Sequence, residues 1–380
     1  MQVPFFDIGR LNAELESELL AAAARTLGSG WYILGTEVQT FEQAMAESLG
    51  TSVMVAACNS GTDALVLALL AAGIGPGHEV ITVANTAIPT VAAICATGAT
   101  PVFVDVDPDT WLLDATRITA ALTPATKAVI AVHLYGAMAD CAAIQTVLCA
   151  AGRPDVALIE DVAQAQGAEL GGRRAGTLGR FGAFSFYPSK NIGALGDGGA
   201  VCAGDRHDGA VLKELRNYGQ RDRYHASTPR GINSRLDEIQ AALLLTKLPH
   251  LAEWNRRKAA LMETYRRSLA HLPLTFQAVT DGCRPAWHLC VVACSDTATR
   301  DALQQHLQAA GVQTIIHYPI PCHLQPAFGR ARSTGLPVTE SLAGRILSLP
   351  FSPVLTESEQ AYVIQQVAGY FSRSSSHCAL

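Results

Sequence analysis

Residues 183–200 read AFSFYPSKNIGALGDGGA. The stretch opens like a strand, Ala183-Phe184-Ser185-Phe186-Tyr187, and stops at Pro188, which cannot donate to a sheet ladder. One lysine, Lys190, follows, and then Gly193, Gly196, Gly198 and Gly199 crowd together. Glycine permits tight turns and close approach of backbone to a ligand. A single amine in such a stretch is either an ordinary surface lysine or a group that something must reach. The rest of the chain decides between the two.

Upstream and downstream, short runs that are apolar throughout recur at Val80–Val83, Pro101–Val106, Ala128–Val132, Val156–Ile159, Gly182–Phe186 and Gly199–Cys202. Strands covered on both faces read this way, whereas one-sided strands alternate. Helical patterns lie between them, for example Asp63–Ala72, closed by Gly73. This rhythm predicts an α/β fold, a mostly parallel sheet between helices, forming a large domain over residues 1–245. Past about Arg235 the pattern changes to QAALLLTKLPHLAEWNRRKAALMETYRRSLAHL, a long helical stretch that Pro249 should break. Two strand-like runs, His288–Ala293 and Val312–Tyr318, flank the helical ATRDALQQHLQAA. Thr356-x-x-Glu359 has the form of a capping box that opens a final helix. These features predict a smaller C-terminal α+β domain over residues 246–380, ending in a mobile tail, SRSSSHCAL.

The 380 residues are 49% hydrophobic and 16% charged, enough to bury a large core and unlike a disordered chain. A formal charge of −5, with no Lys/Arg-rich block, argues against a nucleic-acid surface. The 10 cysteines form no CxxC pair, and Cys290 and Cys294 would share one face of a strand. No metal site is expected, and a reduced, cytoplasmic setting fits such scattered thiols. The opening MQVPFFDIGR carries no apolar signal core, and no apolar run reaches the roughly 18 residues a membrane helix needs. A soluble protein, away from membranes, is the expectation.

Three features then converge on one ligand. Asn59-Ser60-Gly61-Thr62-Asp63 precedes an apolar helix, and a helix N-terminus offers free N–H groups and a favourable dipole to a phosphate. Ordinary capping by Ser60 or Thr62 is the alternative. Val156–Ile159 ends in Glu160-Asp161, at the carboxyl end of a strand, where open α/β sheets hold their ligands. An aspartate there can pair with a protonated pyridine nitrogen, although Asp161 could equally cap the helical run that follows. Lys190 completes the set, because an amine walled by backbone and apolar groups loses proton affinity and becomes a nucleophile. Phosphate cradle, ring-nitrogen carboxylate and imine-forming lysine, in that order, suit pyridoxal 5′-phosphate.

The sequence resembles the DegT/StrS family of fold-type-I, pyridoxal-phosphate-dependent nucleotide-sugar aminotransferases along nearly its whole length. The motifs that carry the resemblance are SGWYILGTEV (29–38), NSGTDAL (59–65), GPGHEVI (75–81), PVFVDVDPDT (101–110), AVHLYG (131–136), IEDVAQAQGA (159–168), SFYPSKNIGALGDGGA (185–200), LRNYG (215–219), GINSRLDEIQAA (231–242), HYPIPCHLQPAF (317–328) and LSLPFSP (347–353). The resemblance implies that Lys190 forms the imine and moves the proton. It implies that Asp161 holds the pyridine nitrogen protonated, that Gln164 lies near the ring oxygen, and that Gly61, Thr62 and Ser185 bind phosphate. It further implies a homodimer with shared sites, in which Asn233 reaches into the partner's cavity. His133, Tyr135, His317, Tyr318 and His323 are implied around the sugar, with Arg216 and Tyr218 as further candidates. For His133 and His317 the other reading is a satisfied core imidazole. Two positions depart from the family's pattern: Ala87, where an aromatic residue often stacks on the cofactor, and Gln166, where histidine is common.

The implied activity is transfer of an amino group from L-glutamate to a keto group of a nucleotide-linked deoxysugar. The SGWYILG opening favours a dTDP-3-keto-6-deoxyhexose and a 3-amino product. Amination at C4, or of a cyclitol ketone, is the nearest alternative. A non-catalytic regulatory protein on the same scaffold is the alternative from another class. Such a protein would lack the lysine or carry an added binding module.

Overall fold

The structure is a computed structural model that describes residues 1–50, 53–329 and 331–377. Its main sheet is built from β1 (Met54–Cys58), β2 (Glu79–Val83), β3 (Thr100–Val104), β4 (Thr126–Val132), β5 (Ala157–Asp161), β6 (Phe181–Ser185) and β7 (Gly199–Ala203). Their order across the sheet is β1-β7-β6-β5-β4-β2-β3, and Arg332–Ser333 adds a short edge beside β3. All neighbours are parallel except β7, which runs antiparallel to both β1 and β6. β1 therefore points the same way as the parallel strands, and six carboxyl ends (β1, β2, β3, β4, β5, β6) open on one edge.

The apolar runs are uniform because both faces are covered. Along β1, Ala56 and Cys58 join one core cluster, while Val55 and Ala57 join the cluster on the opposite face. All six sequence-predicted runs are strands. The sequence reading passed over β1, whose Ala-rich MVAAC has weak strand propensity on its own. It acquires a partner only from β7, some 140 residues later in the chain, with Ala57 opposite Ala200. Helix α1 (Gly61–Ala71) follows β1, and α2 (Ile88–Ala96) follows β2.

The C-terminal part begins as predicted, with α3 (Glu238–Lys247) and α4 (Leu251–Leu269) separated at Leu248–His250, where Pro249 sits in a 3₁₀ turn. A small antiparallel sheet contains β8 (Thr275–Phe276), β9 (Cys290–Ala293) and β10 (Ile346–Leu349) in that order. Here one expectation is corrected. Val312–Tyr318 is not a strand, and it meets its neighbours only at single bridges, Val312 with Val3 and Ile315 with Ser348. The place beside β9 is taken by β10, so the run passes outside the ladder and turns its end toward the large sheet. Cys290, Val292 and Cys294 pack into the small-sheet core with Tyr265, Leu303 and Phe351, as residues two apart on one strand face should.

Thr356 and Glu359 form the reciprocal capping box, with Thr356 N donating to Glu359 Oε2 at 2.8 Å and Glu359 N to Thr356 Oγ1 at 3.2 Å. Helix α5 (Glu357–His377) then runs through SRSSSH, so the expected mobile tail is corrected as far as His377. Cys378, Ala379 and Leu380 lie outside the described residues. Among the described residues no helix is long and apolar enough to cross a membrane.

Candidate active site

A cavity of about 330 Å³ opens at the carboxyl edge of the main sheet. Gly61 and Thr62 reach it after β1, Ala87 after β2, Asp161 and Gln164 at the end of β5, Ser185 and Lys190 at the end of β6. From the C-terminal part come His288, His317 and Tyr318.

At one wall, Ser60 caps α1 by accepting from Asp63 N at 3.1 Å. Capping and cradle are compatible, because the first-turn N–H groups have no partner within the helix. Gly61 must be glycine here. A Cβ at that position would lie 2.5 Å from the Cβ of Ser185, so only a bare backbone lets the helix start and the Ser185 hydroxyl share one wall.

Asp161 sits in the middle of the cavity. Its Oδ2 accepts from Thr90 Oγ1 at 2.8 Å and its Oδ1 from Ala163 N at 3.1 Å. Thr90 spends its proton on Asp161, so at 2.8 Å it accepts from Thr86 Oγ1, and a hydroxyl chain from α2 holds the carboxylate in place. The preceding residue, Glu160, faces the other side of the strand. It accepts from Gly176 N, Leu178 N and Gly179 N at 2.8, 2.6 and 2.7 Å and from His133 Nε2 at 2.9 Å.

Lys190 lies on the cavity wall with its backbone N–H on Tyr187 O at 2.8 Å. No hydrogen bond or ion pair engages its amine among the described residues. Burial pulls that amine down to about 8, against Asp161, which favours the charged form. The amine is thus unpaired on the cavity wall, and far more of it is neutral near pH 7 than in an ordinary lysine, although the ammonium form still predominates.

Of the glycines that follow, Gly198 lines the cavity, and the others serve the packing of the loop itself. None of Gly193, Gly196, Gly198 and Gly199 has a positive φ. A Cβ on Gly193 would lie 2.3 Å from Pro188 O, and one on Gly199 would lie 2.3 Å from Ser60 O. These residues fold the lysine loop back on its own start and press it against the α1 cradle. The loop is further locked by Gln166, whose Nε2 donates to Ser185 O at 2.5 Å and whose Oε1 accepts from Ile192 N at 2.7 Å. The departure from histidine at Gln166 is therefore filled by a side chain with a definite bracing role.

Gln164 accepts from Tyr135 N at 2.8 Å and donates to Tyr318 Oη at 3.0 Å, so its amide is fixed at the cavity's edge. Burial pushes the Tyr318 phenol up to about 12 and pulls the His317 imidazole down to about 4, so both are neutral at pH 7. His317 Nδ1 meets Ser348 Oγ at 2.9 Å.

Of the other candidates, His133 is on the cavity lining, and Tyr135, His323, Arg216, Tyr218 and Asn233 are not. His133 is fully buried, accepting from Ala139 N at 3.1 Å through Nδ1 and therefore donating to Glu160 through Nε2. Its ring has nothing left to offer a substrate. Tyr135 is buried and gives its hydroxyl to His317 O, so it supports the site from behind. His323 lies off the cavity, with Nε2 on Glu340 at 3.0 Å and its ring against Phe103. Arg216 is buried against Glu42 and Ala57 O. Tyr218 is exposed under the Arg235 guanidinium. Asn233 is exposed on the surface and does not line its own chain's cavity.

Three groups were missed. Thr86 and Thr90 flank Ala87 in ANTAIPT, and their spacing of four puts both hydroxyls on one face at the start of α2. His288 opens the apolar run HLCVVA, and a polar residue at the head of a buried strand was the available signal.

A family described as the DegT/DnrJ/EryC1/StrS aminotransferase family matches residues 13–368. The chain is 45% identical over 375 residues to the dTDP-3-amino-3,4,6-trideoxy-alpha-D-glucose transaminase of Streptomyces venezuelae, covering 98% of this chain and 97% of that protein. It is similar to the crystal structure of S. venezuelae DesV in complex with a ketimine intermediate, at TM-score 0.92 and 45% identity over 97% and 98% of the two chains. NtdA from Bacillus subtilis with bound cofactor PMP matches at TM-score 0.89 and 30% identity, over 98% of this chain and 85% of that one.

Proposed function

The chain belongs to the DegT/DnrJ/EryC1/StrS aminotransferase family and has the fold-type-I architecture, and from that premise we propose that it transfers the amino group of L-glutamate to the 3-keto carbon of a dTDP-linked 6-deoxyhexose. The observation that carries the chemistry is the unpaired Lys190 amine sharing one cavity with the Asp161 carboxylate and the start of α1.

The family implies pyridoxal 5′-phosphate, which when bound supplies an electron sink for the carbon next to the transferred nitrogen. The cavity fits that group on its own geometry. Gly61 leaves its backbone bare beside Ser185, and among the described residues the Asp161 carboxylate accepts two hydrogen bonds and the lysine amine has no partner. In this reading Gly61, Thr62 and Ser185 hold the phosphate, Asp161 keeps the ring nitrogen protonated, and Gln164 lies beside the ring oxygen. Thr90 and Thr86 steady Asp161. The neutral fraction of the Lys190 amine, enlarged by burial, would take the proton from the substrate Cα and later return it to the carbon on the other side of the transferred nitrogen. His317 and Tyr318 border the sugar. Ala87 leaves its side of the cavity without an aromatic cover.

We read the assembly as a homodimer. Ile88 and Tyr187 are 52% and 56% exposed at the cavity mouth, a wet position for such large apolar groups unless a second copy covers them. Asn233, exposed on its own chain, is then available to the partner's site.

The test is the visible spectrum of the cofactor-loaded protein on adding L-glutamate, followed by dTDP-3-keto-6-deoxyhexose and product analysis. Bleaching by glutamate, recovery with the keto-sugar and a 3-amino product are expected. A band that ignores glutamate would mean another donor. A 4-amino product or recovery only with a cyclitol ketone would reassign the acceptor. No cofactor band at all would leave only a non-catalytic role.

A further inference from the structure

His288 and Lys190 face one cavity with complementary, uncommitted groups. Asn191, the residue after Lys190, donates its amide hydrogens to Asn255 Oδ1 at 2.8 Å and Ala286 O at 2.6 Å. Its oxygen therefore points at His288 Nδ1, 3.2 Å away, as an acceptor. Nδ1 must carry the ring proton, which leaves Nε2 as a bare lone pair with no partner among the described residues. The Lys190 amine is a donor-only group that likewise has no partner. Because Asn191 is covalently next to Lys190 and bonded to His288, the two groups are held in fixed relation. Asn255 extends the brace by donating to Gln166 O at 2.9 Å.

We propose that His288 is a positioning residue for this transaminase, its Nε2 receiving a hydrogen bond from the Lys190 amine whenever that amine is free of the cofactor. The inference rests on the proposed role of Lys190. No proton passes to His288, which stays neutral. Its burial, first, and then the amines of Lys190 and of Lys258 on α4 oppose a second proton there, as His317 would if it were charged. The bond aims the amine and favours its ammonium form, which is the form that must exist between taking one proton and returning it.

The test uses the apoprotein, so that it does not depend on turnover. Competitive acylation across pH, read by mass spectrometry at Lys190, gives the amine's own midpoint, expected near 8 in the native chain. Loss of one hydrogen bond to a charged group should lower it by about 1 in His288→Phe, and His288→Gln, whose amide oxygen can accept, should restore much of it. In the loaded enzyme, His288→Phe should raise the primary isotope effect with α-deuterated glutamate. An unchanged Lys190 midpoint in folded His288→Phe, with the native melting profile, overturns the proposal. So does a His288→Gln variant that behaves like His288→Phe while folding normally. A changed midpoint with no glutamate half-reaction in the native protein would uphold the pairing and remove the aminotransferase reading instead.

Discussion

Glu160 and Asp161 are neighbours on one strand, carry the same functional group and are both buried, yet they belong to different regions of the molecule. Glu160 is 0% exposed and meets four donors, three of them backbone N–H groups of the 176–179 turn and the fourth the His133 ring. Asp161 is 6% exposed, meets two donors, and shows its remaining lone pairs to the cavity. A buried carboxylate with every valence answered from within the chain is architecture. One with valences left over at the mouth of a sheet is waiting for a ligand. The metal-like grouping of His133, Cys141 and Glu160 belongs to the first kind. Their candidate donor atoms lie within 4.8 Å of one another, but Nε2 of His133 already carries a proton and Glu160 is saturated.

The largest expected effect lies on the open side. Lys190→Ala should remove both the covalent attachment point and the proton carrier, and slow the glutamate half-reaction by about 10³-fold or more. The measurement is single-turnover absorbance with glutamate in excess. Survival of the rate would break the distinction at its strongest point. Next come the two acids, exchanged for their amides. Asp161→Asn should cost about 10²-fold or more in that rate with little change in melting, since its one oxygen can still accept from Ala163 N while the Thr90 hydroxyl turns to accept from the amide NH₂ and donate to Thr86. Glu160→Gln should reverse the pattern, costing about 3 kcal/mol of stability by setting an NH₂ against backbone donors, while the folded fraction turns over normally. Paired melting and rate measurements on both variants decide it. Equal effects on both quantities would mean the strand does not separate the two roles.

How far was this separation legible in the sequence? The strand rhythm, the Pro249 break and the capping box were local patterns, and they gave the fold with few errors. Asp161, Gly61, Ser185 and Lys190 were also legible, because the carboxyl ends of strands are where open sheets bind. The histidines were not. His133, His317 and His323 look alike in sequence, and what separates them is tertiary: both nitrogens of His133 are answered by Glu160 and Ala139, His317 stays on the cavity lining beside Ser348, and His323 turns to Glu340 off the cavity. The glycines after Lys190 were read as room for a ligand. Gly198 does line the cavity, but Gly193 and Gly199 make room for Pro188 and Ser60, and no local pattern distinguishes chain against ligand from chain against chain. Val312–Tyr318 has the composition of a strand but lost its place to Ile346–Leu349, a contest decided by tertiary contacts alone.

A smaller effect sharpens the comparison within the site. Thr90→Val removes the only side-chain donor to Asp161 among the described residues and leaves the backbone one. A hydrogen bond to a charged acceptor is worth about 1.5–3 kcal/mol, so a loss of roughly tenfold in the glutamate half-reaction is expected, with Thr90→Ser near native. A Thr90→Val enzyme with the native rate would mean that Asp161 is held well enough by Ala163 N and the strand itself.

The smallest effect concerns two amines, and it asks the same question of a different functional group. Lys190 and Lys258 are both pulled down by burial, but Lys190 opens on the cavity while Lys258 is 2% exposed on α4 and no hydrogen bond from its amine is seen among the described residues. In the unfolded chain Lys258 holds its proton up to the ordinary 10.5, whereas in the fold its affinity lies well below that. The unfolded state therefore binds more protons between those two values, and stability rises with pH across that window. At pH 7 the buried amine opposes folding. Lys258→Met, of similar length and without the amine, should raise stability by about 1–3 kcal/mol at pH 7. The gain should shrink as pH climbs toward 10.5, where both states of the native chain shed the proton. Urea midpoints of the two proteins at pH 7 and pH 10 test it. A pH-independent gap would mean that Lys258 keeps its charge inside the fold, and that burial alone does not set the proton affinity of a lysine on the cavity wall apart from that of one enclosed in the core.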